Sequence, residues 1–197
     1  MRSELEGKLA EMAAAGQKPD AITFAGNGEP TGHPEFAQIV DDVIKLRDRF
    51  APKAKISVLT NAFHILRPEV FAALQRVDNA LLKLDTVNLE YIELVNRPQG
   101  RYDLERLVEK MKAFEGNCMI QTMFMKGSWE GKSVDNTSER FVGPWLTAVK
   151  AIRPKLVTIY TIDRETPDKS LEKATHEELD RIAARLREAG LECTVSY

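Results

Sequence analysis

Cysteine is nearly absent: Cys118 and Cys193 are the two thiols in 197 residues, too few and too far apart for a disulfide framework. Net charge is nearly absent as well. At −2, with a pI near 6.0, the chain lacks the electrostatic footprint of a duplex-DNA binder or of a protein held on an anionic membrane. No apolar run approaches the length of a membrane span, and the opening MRSELEGKLAEM lacks the basic-then-apolar order of a signal peptide. These absences lead us to expect a cytoplasmic protein with neither DNA nor membrane among its partners. Histidine is scarce too. His33, beside Pro34, reads as a helix-cap residue and His176 as a solvated first-turn residue, which leaves His64 as the substrate-side candidate and no metal constellation among the three.

What is present is globular: 43% of residues are hydrophobic and 29% charged, consistent with one domain spanning residues 1–197. Six apolar, β-branched-rich runs read as buried strands: AITFAG, KISVLTNA, NALLKLDTV, NCMIQTMFM, KLVTIYTID and LECTVSY. Helical periodicity fills the gaps. Phe36, Ile39, Val40, Val43 and Ile44 recur at three-and-four spacing, with Pro34 suited to the first helical position. Pro68 opens the next helix, and Leu104, Leu107, Val108 and Met111 share a face of the one that Gly116 ends. Thr175 and Glu178 form a capping-box pair before the last helix. Gly143 and Pro144 mark where the helix carrying Trp145 becomes regular. The polar stretch from Lys126 to Glu139 is a long loop between strand and helix.

Repeated βα units imply an α/β fold with parallel strands, either an open doubly wound sheet or a complete or partial (β/α) barrel. A leading helix, with Leu5, Leu9, Met12 and Ala13 on one face, is an odd start for such a fold and suggests that a preceding strand is absent. AITFAG would then expose an edge through which the chain self-associates.

Ligands in parallel α/β folds bind beyond the carboxyl ends of the strands. There the chain places Gly26, Asn27, Gly28, Glu29 and Pro30; then Thr60, Asn61 and His64; then Asp85; then Gln121 and Lys126; then Asp163 and Arg164. Strand ends meet solvent in any case, so polarity alone decides nothing. GNGEP is more specific. It lacks the third glycine of G-x-G-x-x-G, where Thr31 stands, and it is not a Walker loop. Glu29 would repel a phosphate and would suit a ligand ammonium.

TFAGNGEPTGHPEF resembles the segment after the second barrel strand of radical S-adenosylmethionine (SAM) enzymes, where a G-G-E-P-type motif holds the methionyl ammonium of SAM; here Asn27 replaces a glycine. VLTNAF is similar to the family's third-strand T-N-G segment, with Ala62 for glycine. LLKLDTVNLEYIELVNRP, TMFMKGSWEGKSVDNT and VTIYTIDRETP resemble, in order, its fourth-, fifth- and sixth-strand regions in the branch of glycyl-radical-enzyme activases and wyosine-type enzymes. The resemblance implies a partial TIM-type (β/α) barrel of about six βα units lacking its first strand and cluster loop. A complete member binds SAM and a [4Fe–4S] cluster and generates a 5′-deoxyadenosyl radical for hydrogen abstraction from a substrate or a glycyl-radical enzyme. The C-x-x-x-C-x-x-C ligands of that cluster are absent here, so this chain is expected to be inactive by itself.

By the same resemblance the cofactor-binding residues are Gly26, Asn27, Gly28, Glu29, Pro30, Asn61, Asp85, Gln121 and Asp163. Glu29 would meet the ammonium, and Asn61 and Gln121 the SAM carboxylate or adenine. Asp163, with Arg164, would contact adenine or substrate, or form a surface ion pair. Asp85 either faces the ribose hydroxyls or pairs with Lys83 across Leu84. Trp129 is placed over the active site and Trp145 in the core. Two rivals stand beside this reading: a degenerate, non-catalytic module that binds SAM or a small molecule, and a barrel lyase or aldolase using Lys83 or Lys126 as a Schiff-base amine.

Overall fold

The computed structural model describes residues 2–25, 28–163, 166 and 168–197. It divides into two compact units, Met1–Leu81 and Leu82–Tyr197, the division falling inside the third strand.

The first unit contains α1 (Arg2–Ala14), β1 (Ala21–Phe24), a 3-10 turn (Pro30–Gly32), α2 (Phe36–Phe50), β2 (Lys55–Thr60), α3 (Pro68–Leu74) and the start of β3 (Asn79–Lys83). Strands β1 and β2 pair in parallel with Ile22 opposite Ile56 and Phe24 opposite Val58, and the strand order is β1-β2-β3. The β-branched Ile56 and Val58 are fully buried, as are Val40 of α2 and Val70 of α3, so the three-and-four stripe of α2 is the face it buries. That helix begins two residues after Pro34. The Glu35 N–H donates to His33 Nδ1 at 3.1 Å and the Phe36 N–H to the His33 carbonyl at 3.1 Å, so a turn closes first and His33 caps it. Asp78 secures the opposite end of the strands by accepting from the Ile56 N–H at 2.9 Å and from Lys55 and Arg47.

The second unit continues through α4 (Leu89–Tyr91), a π-helical segment (Ile92–Asn96), α5 (Leu104–Lys112), β4 (Met119–Met123), β5 (Met125–Trp129), β6 (Lys132–Ser133), α6 (Glu139–Ile152), β7 (Leu156–Tyr160), β8 (Leu171–Lys173), α7 (His176–Glu188) and β9 (Cys193–Ser196). Its main strands run β3-β4-β7-β9, with β4–β7 and β7–β9 parallel. This is the α/β fold of parallel strands and helical crossovers that the alternating patterns imply. Trp145 lies in the core at 1% exposure, edge-on to Phe124 with centroids 5.3 Å apart, and its indole N–H donates to the Leu84 carbonyl at 2.9 Å. The capping box of Thr175 and Glu178 is formed.

Two expectations fail here. Helix α6 starts at Glu139, not at Gly143 and Pro144, because the Ser138 carbonyl takes both the Phe141 and Val142 N–H groups and closes a turn earlier. The stretch after β4 is no plain loop. Residues 125–133 form an antiparallel hairpin of β5 and β6, and β5 pairs on its other side with β8. Trp129 therefore packs as a strand residue against a cluster of Tyr91, Met125 and Val134.

Candidate functional site

In the first unit the chain leaves β1 and reaches Gly28 with φ +139°, a conformation that favours glycine. Glu29 then caps the 3-10 turn, with Pro30 as its first residue. The carboxylate is held from both sides. Its Oε1 accepts from the Thr31 N–H at 3.0 Å, the Thr31 hydroxyl at 2.5 Å and the Thr60 hydroxyl at 2.5 Å, and its Oε2 from the Asn61 N–H at 2.6 Å. Thr60 ends β2, and its Oγ1 also accepts the Ala62 N–H at 3.0 Å. Ala62 has φ +66° and is buried, which explains why glycine suits this place in a T-N-G segment. Asn61 Oδ1 accepts the Phe63 N–H at 2.9 Å. Thus the turn after β1 and the end of β2 are tied together through one carboxylate. Among the described residues Oε1 has three donors and Oε2 one, so Oε2 is the oxygen with acceptor capacity left for a ligand donor. His64 stands beside the same turn, its Nε2 3.4 Å from where a Cβ on Gly32 would lie.

Gly26, Asn27 and Arg164 lie outside the described residues. Gln121 is half-buried on β4, and Asp163 is exposed beyond β7.

In the second unit Asp85 follows β3 and is 7% exposed. Its Oδ1 accepts the Met123 N–H at 2.9 Å, and its Oδ2 accepts from Asn96 Nδ2 at 3.0 Å and pairs with Lys83 Nζ at 3.3 Å. Of the two arrangements open to Asp85, the ion pair with Lys83 is formed. The π-helical segment brings Asn96 of the N-R-P sequence to the carboxylate, and Arg97 then leaves with φ +46°. The Asp85 carboxylate holds the Lys83 ammonium above its ordinary pKa, against the effect of burial. Burial, followed by the proximity of Asp85, pushes the Tyr102 phenol up to about 12. Lys126 pairs with Glu178 at 3.2 Å. Both lysines of the Schiff-base reading are thus engaged with carboxylates, and Lys83 is further from the free amine such chemistry requires.

Asn136 is the residue the sequence did not single out. Fully buried, it accepts the Met125 N–H at 2.8 Å and donates to the carbonyls of Met123 at 2.9 Å and Asp85 at 3.3 Å. It clamps the ends of β3 and β4 where Asp85 sits. In sequence an Asn within SVDNTSE reads as a turn former, and nothing marks it as buried.

A [4Fe–4S] cluster does not fit this donor set. Cluster ligands are thiolates; burial pushes the Cys118 thiol up to about 12 and also raises that of Cys193. Among the described residues no three His, Cys, Asp or Glu side chains group as a metal site.

The model of the Radical SAM superfamily matches residues 2–130. A domain of pyruvate-formate lyase-activating enzyme from Bacteroides vulgatus shares the fold, with a TM-score of 0.66 at 16% identity over 90% of this chain and 99% of that one. A UPF0026 protein of Synechocystis is 28% identical over 78% of this chain and 53% of its own length. A Brachyspira hyodysenteriae protein named GTPase Obg is 22% identical over 90% of this chain and 25% of its own. The chain thus spans between a quarter and about half of these curated relatives. No helix among the described residues is long and apolar enough to cross a membrane.

Proposed function

The chain belongs to the Radical SAM superfamily, and from that premise we propose that its first unit cradles the methionyl end of SAM, with Glu29 accepting the ligand ammonium. Membership supports SAM-dependent radical chemistry in general. In complete members a [4Fe–4S] cluster would supply the electron for that chemistry; this chain would contribute the cradle and lacks the three thiolates such a cluster needs. The observation that carries the proposal is the fixing of Glu29. Four donors from Thr31, Thr60 and Asn61 hold the carboxylate in one place while leaving, among the described residues, an Oε2 lone pair. A charge so anchored binds a cation without first losing side-chain freedom.

Gly28 turns the backbone and Pro30 starts the 3-10 turn, so both act by shaping the cradle. Asn61 places its N–H on Glu29 and offers its side-chain amide to the ligand carboxylate. In the second unit Gln121 and Asp163 are proposed ligand contacts, and Asp85 orients Lys83. A glycyl-radical enzyme or another macromolecule is the proposed substrate of the complete protein. A binding module with a SAM cradle but no cluster is the second reading, favoured by the two thiols, the buried Cys118 and the half-buried Cys193, which burial raises above the ordinary thiol pKa.

Amide NMR during a SAM titration tests the cradle. We expect saturable shifts of the Thr31 and Asn61 amides, which contact Glu29 directly. A titration that leaves both unmoved while other amides shift would place SAM elsewhere and reject the assignment.

A further inference from the structure

A concave site lies wholly within the second unit. It is a cleft of about 610 Å³ between the α4 and π-helical segment, the β5–β6 hairpin and the start of α6, within the size range of ligand sites. Its floor is apolar: Tyr91 and Phe141 meet edge-on at 5.4 Å, and Leu94 packs with them on the buried Met125 and Val134.

The rim carries both signs of charge in equal number. Arg97 pairs with Glu130 at 3.6 Å and Arg140 with Glu90 at 3.8 Å. Both separations exceed the 2.7–2.9 Å or so of a strong charged hydrogen bond, and all four side chains are more than half exposed, so these pairs open at little cost. Glu93 and Lys132 line the same cleft and have no ion-pair partner among the described residues. A polyanion entering here would meet three carboxylates, and a polycation three basic groups. The cleft instead suits a ligand with an acidic group, a basic group and an apolar part between them.

One more feature narrows the class. Lys132 and Ser133 form β6, the edge strand of the three-stranded sheet β6-β5-β8, and both residues line the cleft. An edge strand presents backbone N–H and C=O groups to another extended chain. A small zwitterion has no use for such a ladder, whereas a peptide does. Pairing with β6 of a second copy would bring lysine toward lysine, which like-charge repulsion disfavours.

We propose that this cleft binds an extended peptide segment, which adds to the β6 edge, seats an apolar side chain on Tyr91, Leu94 and Phe141, and sets an acidic residue by Lys132 and a basic residue by Glu93. The proposal is independent of the SAM cradle.

The test uses the whole chain and a capped pentapeptide, acetyl-Lys-Leu-Phe-Leu-Glu-amide, with a control in which glutamine replaces both charged residues. Amide NMR should show saturable, salt-sensitive shifts at Lys132, Ser133 and Phe141. Glu93→Gln and Lys132→Gln, both at exposed positions, should each weaken binding about two- to fivefold, and Phe141→Ala about tenfold or more. Any of three results would overturn the proposal: shifts absent from these amides, equal binding of charged peptide and control, or unchanged affinity in both charge variants. Free leucine shifting the same amides as strongly as the peptide would assign a small zwitterion and overturn it too. So would concentration-dependent dimerisation through β6 in sedimentation runs.

Discussion

Replacing Asn136 with alanine should do more damage than any other single polar substitution in the second unit. The amide is fully buried and makes three hydrogen bonds, to the Met125 N–H and to the carbonyls of Met123 and Asp85. Alanine orphans a buried backbone donor, at about 1–3 kcal/mol, and removes two further bonds at about 0.5–1.5 kcal/mol each, giving about 2–6 kcal/mol, with water entry favouring the lower end. For a urea slope of about 1–3 kcal/mol per molar, the midpoint should fall by about 0.7 M or more. Tryptophan fluorescence is the suitable probe, because the chain's two tryptophans, Trp129 and Trp145, both belong to this unit. Asn136→Asp adds a control. It keeps shape and one acceptor but cannot donate when ionised, so it should lose stability as pH rises through the carboxylate range. A loss below about 0.5 kcal/mol in Asn136→Ala, the level of an ordinary surface change, would refute the clamp.

Three further outcomes follow from particular residues. Gly127→Ala should detach β5 from β8, since a Cβ there would lie 1.9 Å from the Ser170 carbonyl oxygen at a φ of +97°; limited proteolysis should then cut within residues 125–133, and a wild-type digestion pattern would contradict the geometry. Stability of the second unit should decline as pH rises above about 9, because burial raises the Cys118 thiol from 9.0 to about 12 and raises the Tyr160 phenol. A folded-state pKa above the unfolded value makes stability full below the unfolded pKa and lost as pH rises toward the folded one; urea midpoints should show this, and Cys118→Ala should flatten the slope, whereas midpoints constant between pH 8 and 11 would contradict it. Anaerobic incubation with iron and sulfide should yield no stoichiometric [4Fe–4S] absorbance on this chain, and a cluster lost on Cys118→Ala or Cys193→Ala would reverse that reading.

Much of the fold was legible because it rests on apolar periodicity. The six parallel strands coincide with the six apolar runs, and Thr175 and Glu178 announce the start of α7 through local chemistry. The β5–β6–β8 sheet was not legible, because Lys126 to Ser133 is polar and the pairing of β5 with Leu171–Lys173 spans more than forty residues of sequence. Glu29 could be found from its place after a strand and between Gly28 and Pro30, and Lys83 with Asp85 from their alternation across Leu84. Asn96 and Asn136 could not. Their roles arise from a π-helical turn and from burial beneath a hairpin, and neither leaves a local signature. Proline positions misled by a few residues at α2 and α6, where side-chain and backbone caps closed the first turn elsewhere.

The central claim is that Glu29 meets the ammonium of SAM, and calorimetric titration of wild type and Glu29→Gln with SAM and with methylthioadenosine tests it most directly. Methylthioadenosine keeps the nucleoside but lacks the methionyl ammonium and carboxylate. Loss of a charged hydrogen bond should weaken SAM by about 1.5–3 kcal/mol, roughly ten- to 150-fold, and leave methylthioadenosine unchanged. Equal SAM affinity in both proteins, or equal weakening of both ligands, would contradict the account.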